Sequence, residues 1–178
     1  MKISQTPEQI KALSALQNHC EIDSVTLQSC STTRANAGTE FKEPFSITPA
    51  LSNISSGVKR DRLVVEVSFE YNAWDSAEPS ERLFQVNCTF EAIYLIQDGH
   101  LPSEEERASF SKGTAVFHCW PYAREFLRDI TSRLGHQTPT LPLLRIVPRP
   151  QEVPAEIPPV LTSPPDPDPD PREDIAFD

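Results

Sequence analysis

The side chains best suited to chemistry in this sequence are four histidines and four cysteines. Two of each are adjacent, as His19-Cys20 and His118-Cys119, and these are the ligand types of a tetrahedral zinc site. Neighbouring residues on an extended chain point to opposite faces, so two such dipeptides would rarely converge on one ion. The absence of a CxxC pair and of disulfide-scaffold density favours reduced thiols. We expect no metal and no other cofactor.

The sequence also contains little that indicates a catalytic site. None of the histidines lies beside a nucleophile motif, and the five scattered glycines form no phosphate-binding loop. The acidic run Glu104–Glu106 fits the first turn of a helix, where carboxylates favour the positive end of the dipole. Arg124 and Glu125 resemble a functional pair, but a solvated ion pair explains them more simply. We predict that the protein is not an enzyme.

The end of the chain differs in composition from the rest. Residues 148–178 hold ten of the 18 prolines, with eight acidic residues against two arginines, and so carry most of the net charge of −10. Such a segment can neither build a ladder nor bury much apolar area, which predicts an extended, solvated tail. It is either a solubilising appendage or a carrier for a short docking motif at Ile175 and Phe177. The acidic balance excludes nucleic acid as a partner and allows a basic protein.

Targeting signals are not apparent. Residues 1–17 contain no apolar run typical of a signal peptide, and no stretch of about 18 apolar residues could span a bilayer. We therefore expect a cytoplasmic protein without membrane insertion.

Two helix starts can be placed from capping boxes. Thr6 and Gln9 bracket Pro7 in the first, and an apolar face follows on the next three turns. Ser103 and Glu106 form the second, and Gly113 is expected to end that short helix.

Strands follow from alternation. Leu63–Tyr71 alternates apolar with polar residues, and Leu83–Ile96 does so over a longer run, so an antiparallel hairpin is the simplest connection. Ile22–Arg34 is a weaker strand candidate, rich in Ser and Thr. Pro44 and Pro49 interrupt Phe41–Val58, which predicts a short strand and a crossing loop there.

The last helix has the sharpest signals. Pro121 suits a first turn and Gly135 a left-handed stop. Between them Ala123, Leu127 and Ile130 lie on one stripe. Downstream prolines force residues 139–146 to run extended, which returns their apolar side chains over the same body.

This last segment resembles the C-terminal half of SecB-type chaperones. The matching residues are Pro121-Tyr122-Ala123-Arg124-Glu125, then Thr131-Ser132-Arg133, then the apolar run Leu141–Ile146. The resemblance implies an α+β fold, a four-stranded antiparallel sheet with helices packed on one face, assembled as a homotetramer that is a dimer of dimers. Three segments result: an N-terminal helix over 1–20, a SecB-like domain over 21–147, and a disordered acidic Pro/Asp-rich tail over 148–178.

The resemblance also implies a function. A SecB-like protein is a holdase, which binds unfolded precursor polypeptides in apolar grooves and keeps them competent for translocation and protein export. Carried over by position, the client-binding candidates are Phe45, Ile47, Leu51, Ile54, Trp120, Tyr122 and Phe126. For each of them, packing in the core or in a tetramer interface is the competing interpretation.

Three functions stay open on the sequence. The first is a general export chaperone that hands unfolded preproteins to the SecA motor. The second is a SecB-like chaperone dedicated to one client, such as the antitoxin of a toxin–antitoxin system. The third is an interaction module without chaperone activity. The N-terminal helix and the Pro/Asp-rich tail depart from the ordinary export chaperone, and this departure puts the SecA hand-over in question.

Overall fold

The computed structural model describes residues 1–34, 45–76, 82–136 and 138–148. The tail was predicted to begin at residue 148; Pro148 is the last described residue, and the tail from residue 149 onward lies outside the described residues. The elements in chain order are β1 (Lys2–Gln5), α1 (Pro7–Gln17), β2 (Cys20–Arg34), β3 (Phe45–Lys59), β4 (Arg62–Asp75), β5 (Arg82–Ile96), α2 (Glu104–Phe110), a π-helical turn (Ser111–Ala115), α3 (Val116–Arg133) and β6 (Arg145–Pro148).

The main sheet is four-stranded and antiparallel, in the order β2-β5-β4-β3. Helices pack on one of its faces, so the predicted α+β architecture is confirmed. The central strands β4 and β5 supply most of the core, because their alternate side chains are buried against the helices. The other face of the sheet carries polar ladders, such as the 2.9 Å hydrogen bond between the hydroxyls of Ser68 and Thr89.

Strand β3 differs from the prediction. The prolines predicted only a short strand and a crossing loop, yet the chain is extended from Phe45 to Lys59, and Pro49 pairs opposite Tyr71. The physical reason is the position of the strand. Because β3 is an edge strand, a proline there removes no ladder hydrogen bond that the sheet needs.

The helices confirm the capping boxes and correct two boundaries. Both boxes form, with Thr6 and Ser103 as the N-caps. However, Gly113 does not end a helix and Pro121 does not begin one: helical backbone continues from Glu104 through the π-helical turn to Arg133. Residues just before the proline, such as Cys119, are buried in the core. Burial of this segment as helix offsets the hydrogen bond that the proline removes.

A second, two-stranded sheet was not predicted. Strand β1 pairs in parallel with β6, in the register Ile3 to Ile146. The predicted return of apolar side chains to the core after α3 is confirmed in part: Leu141 is buried and Leu144 packs against the core, whereas Leu143 and Ile146 are exposed. The indole N–H of Trp120 donates to the Pro142 carbonyl over 3.3 Å and ties this return segment, residues 138–148, to α3.

The N-terminal helix packs into the same core as the sheet, through the fully buried Leu16. The segment boundaries at residues 20 and 147 remain predictions. Within the described part of the chain, no helix is both long and apolar enough to cross a membrane.

Gly113 provides a test of the packing between the helices and β1. A Cβ at this position would meet the side chains of Leu13 and Gln5, and the Gln5 amide also donates to the Ser109 carbonyl. We expect Gly113→Ala to lower the free energy of unfolding by about 1–2 kcal/mol, because overpacking outweighs the gain in helix propensity. Gly57→Ala is the control, since nothing lies within 4 Å of its added Cβ. Equal midpoints for the two variants in urea unfolding would contradict this packing.

Candidate functional site

Helix α3 lies along strand β5 on the inner face of the sheet. Near its start, the His118 ring stacks on Tyr94, with 5.8 Å between the ring centroids. Further along α3, the rings of Tyr122 and Phe126 each lie with their centroids 6.5 Å from the centroid of the Phe90 ring. Since Tyr94 is near the end of β5 and Phe90 nearer its middle, α3 runs antiparallel to this strand and covers the centre of the sheet.

The edge strand β2 is left largely uncovered. None of its fifteen residues is buried. The register places Leu27 opposite Phe90 and Val25 opposite Ala92, so these side chains share the inner face with the core. We call the surface formed by Ile22, Val25, Leu27, Tyr122 and Phe126 the β2 strip.

The β2 strip combines apolar side chains from a strand and from a helix around the Phe90 ring. Leu27 and Ile22 are each 43% exposed, and Tyr122 is 52% exposed. Phe126 is half-buried. The strip therefore presents exposed and half-buried apolar side chains beside a strand whose outer edge pairs with no described strand.

Two side chains near the start of α3, Tyr94 and His118, form an uncharged pair. The Tyr94 hydroxyl and the His118 Nδ1 lie 3.1 Å apart. Burial lowers the pKa of the His118 imidazole and raises that of the Tyr94 hydroxyl. Both groups thus favour their uncharged forms, which suits an apolar surface better than acid–base chemistry.

The other predicted client-binding residues lie on the opposite side of α3, along the edge strand β3. We call Phe45, Ile47, Leu51 and Ile54 the β3 strip. All four are half-buried, face the helices and pack against the core. The Phe45 ring, for example, contacts the Phe84 ring edge-on, with centroids 6.0 Å apart. The β3 strip is thus more covered than the β2 strip.

The three aromatic candidates on α3 do not lie on one surface. Trp120 is only 3% exposed and contacts the Phe69 ring at 5.7 Å, so it lies in the core. Tyr122 and Phe126 lie on the side of Phe90 and belong to the β2 strip. The structure therefore brings the seven predicted residues to three places: the β3 strip, the core and the β2 strip.

Sequence reasoning left the exposed residues of β2 out of the site. The weak strand candidate Ile22–Arg34 supplied none of the seven predicted client-binding residues. The signal was hidden because register shifts between Ile22 and Ser24 and between Leu27 and Ser29 break the alternation. Phe117, which is 53% exposed at the start of α3, was likewise missed.

One cleft beside α3 carries little catalytic chemistry. A cleft of about 500 Å³ lies between α3 and the return segment, and its eight lining residues include Arg124, Glu125 and Arg128 but no histidine or cysteine. Arg128 pairs with Glu125 at 3.8 Å, and both side chains are largely exposed. Among the described residues, no group of three or more histidine, cysteine or acidic side chains could hold a metal ion.

The architecture defines a class of fold. A four-stranded antiparallel sheet, with a long helix laid across its inner face and an extended return, is the fold of the SecB-like chaperones.

One solved structure with this fold is the Mycobacterium tuberculosis Rv1957 SecB-like chaperone in complex with a ChAD peptide from the Rv1956 HigA1 antitoxin. It matches with a TM-score of 0.67 and 19% identity, over 77% of this chain and 99% of that chain. A protein of unknown function from Streptococcus agalactiae also matches, with a TM-score of 0.41 and 12% identity over 70% of this chain and 97% of its own. No family model and no curated protein matches the sequence.

Two aromatics on α3 separate core from surface. We expect Trp120→Ala to lower the free energy of unfolding by about 3–5 kcal/mol, because it leaves a cavity and an unpaired Pro142 carbonyl. Tyr122→Ala should cost less than about 1 kcal/mol, since half of its ring is already in solvent. Urea unfolding of both variants measures the difference. Similar losses would show that Tyr122 is a core residue and would remove it from the β2 strip.

Proposed function

We propose that this protein is a molecular chaperone of the holdase type, which binds extended apolar segments of unfolded polypeptides. The observation that carries the proposal is the β2 strip, an apolar surface alongside an edge strand. Isolated exposed apolar residues are ordinary, but adjacent ones from two elements are typical of an interaction surface.

The chemistry of the β2 strip suits an unfolded client. Burial of apolar side chains is non-directional, so Leu27 and Tyr122 can accept client side chains of many shapes. The outer edge of β2 can pair with the backbone of an extended segment, which adds main-chain hydrogen bonds that do not depend on client sequence. The two interactions together favour a chain that is extended and apolar over a folded one.

The β3 strip is the second part of the proposed binding surface. Its four residues are half-buried, and the Phe45 ring contacts the His136 ring just after α3, with centroids 5.6 Å apart. A client would gain access there only by displacing groups that partly cover the strip. We therefore propose that a client first contacts the β2 strip. The β3 strip residues Phe45, Ile47, Leu51 and Ile54 become accessible to the client in a second step.

Of the two chaperone functions, the comparison favours the dedicated one. Rv1957 is described as a SecB-like chaperone in complex with an antitoxin peptide, which makes a single dedicated client, such as an antitoxin, the preferred partner here. General export with hand-over to SecA remains the alternative. We propose a cytoplasmic homotetramer in either case, and a gene next to a toxin–antitoxin pair would favour the dedicated form. A non-chaperone module fits less well, since it would be expected to have a closed surface.

A light-scattering assay tests the holding activity. We expect the full-length protein to suppress aggregation of a chemically unfolded, slow-folding protein near stoichiometric ratios. The variant Leu27→Thr/Tyr122→Gln should need at least about threefold more protein for half suppression, because it makes the β2 strip polar. Leu101→Thr is the matched control, since Leu101 is 85% exposed but lies in the loop before α2.

Two outcomes would change this assignment. Equal suppression by the double variant and the wild type would remove the β2 strip as the binding surface. No suppression by either protein would reject general holding, and the product of a neighbouring antitoxin gene would then be the client to test. A form that ends at Pro148 shows whether the acidic tail contributes, and we expect it to keep its activity.

A further inference from the structure

Two cysteines lie directly opposite each other on neighbouring strands. The register of β2 and β5 pairs Cys30 with Cys88, and the two residues therefore share one face of the sheet. Opposed residues of an antiparallel pair have Cα atoms about 4.5–5.5 Å apart, which falls within the range of about 4.4–6.8 Å that a disulfide spans. Both are free thiols here. The backbone already has the spacing that a disulfide needs.

The environments of these two thiols differ. Cys30 is exposed on the edge strand, whereas Cys88 is 2% exposed in the core. Burial, together with the nearby Cys30 and Cys119, raises the pKa of the Cys88 thiol to about 12. Since the thiolate is the nucleophile, an oxidant in solution meets Cys30 first. Cys88 is protected from solvent and is placed to react only with its neighbour.

We propose that Cys30 and Cys88 form a reversible oxidation site, in which Cys30 is the reactive thiol and Cys88 the resolving thiol. The oxidant is a low-molecular-weight disulfide such as glutathione disulfide. The inference does not depend on the chaperone function.

The reaction has two exchange steps. The Cys30 thiolate attacks one sulfur of glutathione disulfide, forms a mixed disulfide and releases one glutathione thiolate. The Cys88 sulfur then attacks the Cys30 sulfur, passes its proton to the solvent and releases the second glutathione thiolate. The two protein thiols are oxidised by two electrons, one glutathione disulfide is reduced to two thiols, and the two thiol protons end on the products.

The other cysteines fit this role less well. Cys119 is completely buried on α3, and Cys88 is buried in the core. An oxidant in solution therefore has direct access to neither of these two thiols. Cys20 lies opposite Ile96, at the other end of the same strand pair. The product would link the edge strand β2 covalently to β5, next to Leu27 in the β2 strip. The modification would therefore fix the edge strand that the described helices leave largely uncovered.

Peptide mapping of the full-length protein tests the proposal. The protein is equilibrated in glutathione redox buffers, blocked with an alkylating reagent and cleaved after Lys, Arg and Glu, which leaves the four cysteines in separate peptides, 12–21, 22–34, 83–91 and 113–124. We expect a 22–34/83–91 cross-link under oxidising conditions and its loss on adding dithiothreitol. Cys20→Ser and Cys119→Ser should keep the cross-link, and Cys30→Ser should lose it.

A trapping variant separates the two roles. In Cys88→Ala the first step has no resolving partner, so a mixed disulfide with glutathione should accumulate on peptide 22–34. If this core variant does not fold, the variant Cys30→Ser at the exposed position still tests the proposal, because it should lose the cross-link. A wild type that keeps four free thiols would overturn the proposal, and so would a link between two 22–34 peptides or between 83–91 and 113–124.

Discussion

One helix is narrower than the four-stranded sheet, and this difference in width determines which apolar side chains of the sheet are covered. Four strands at a spacing of about 4.8 Å make a sheet roughly 19 Å wide, whereas one helix with its side chains is about 10–12 Å across. Helix α3 can therefore cover β5 and β4 but not the two edge strands. Every apolar side chain that β2 and β3 direct to the inner face needs another cover, or remains accessible.

The chain meets this constraint differently on the two sides. On the side of β3, the strip residues are half-buried, and the His136 ring just after α3 contacts Phe45 and Phe84. On the side of β2, none of the strand's residues is buried. The same inner face therefore has a partly covered flank and a more open one, and the open flank lies beside an edge that pairs with no described strand. A surface of this kind suits a protein whose partner is an unfolded chain.

The sequence predicted the parts of the fold that depend on local chemistry. The two capping boxes and the alternation of β4 and β5 all follow from short spacings. The errors arose where tertiary context overrides a local preference. Pro49 is tolerated because β3 is at the edge, and Pro121 because its helix is already fixed by burial. Strands β1 and β6 are four residues each and pair across more than 130 residues of sequence, so no local pattern marks them.

The candidate site was harder to predict than the fold, because exposure depends on which strand lies at the edge. Trp120 and Tyr122 are two residues apart and look alike in the sequence, yet one is in the core and the other is on the surface. Likewise, Leu27 is in a Ser- and Thr-rich strand with irregular register, and only the strand order shows that nothing packs over it. The residues that the family resemblance supplied lie on the inner face of the sheet, and most of them belong to the better-covered β3 flank.

Hydrogen–deuterium exchange of the full-length protein, with and without a permanently unfolded, reduced and alkylated polypeptide, is the most direct test of the open flank. Amides on the outer edge of β2 exchange freely unless a client strand pairs with them. Client binding should therefore slow exchange within residues 20–34 and change β3 much less. Protection confined to residues 45–59, or no added protection on either edge strand, would contradict the assignment of client binding to β2.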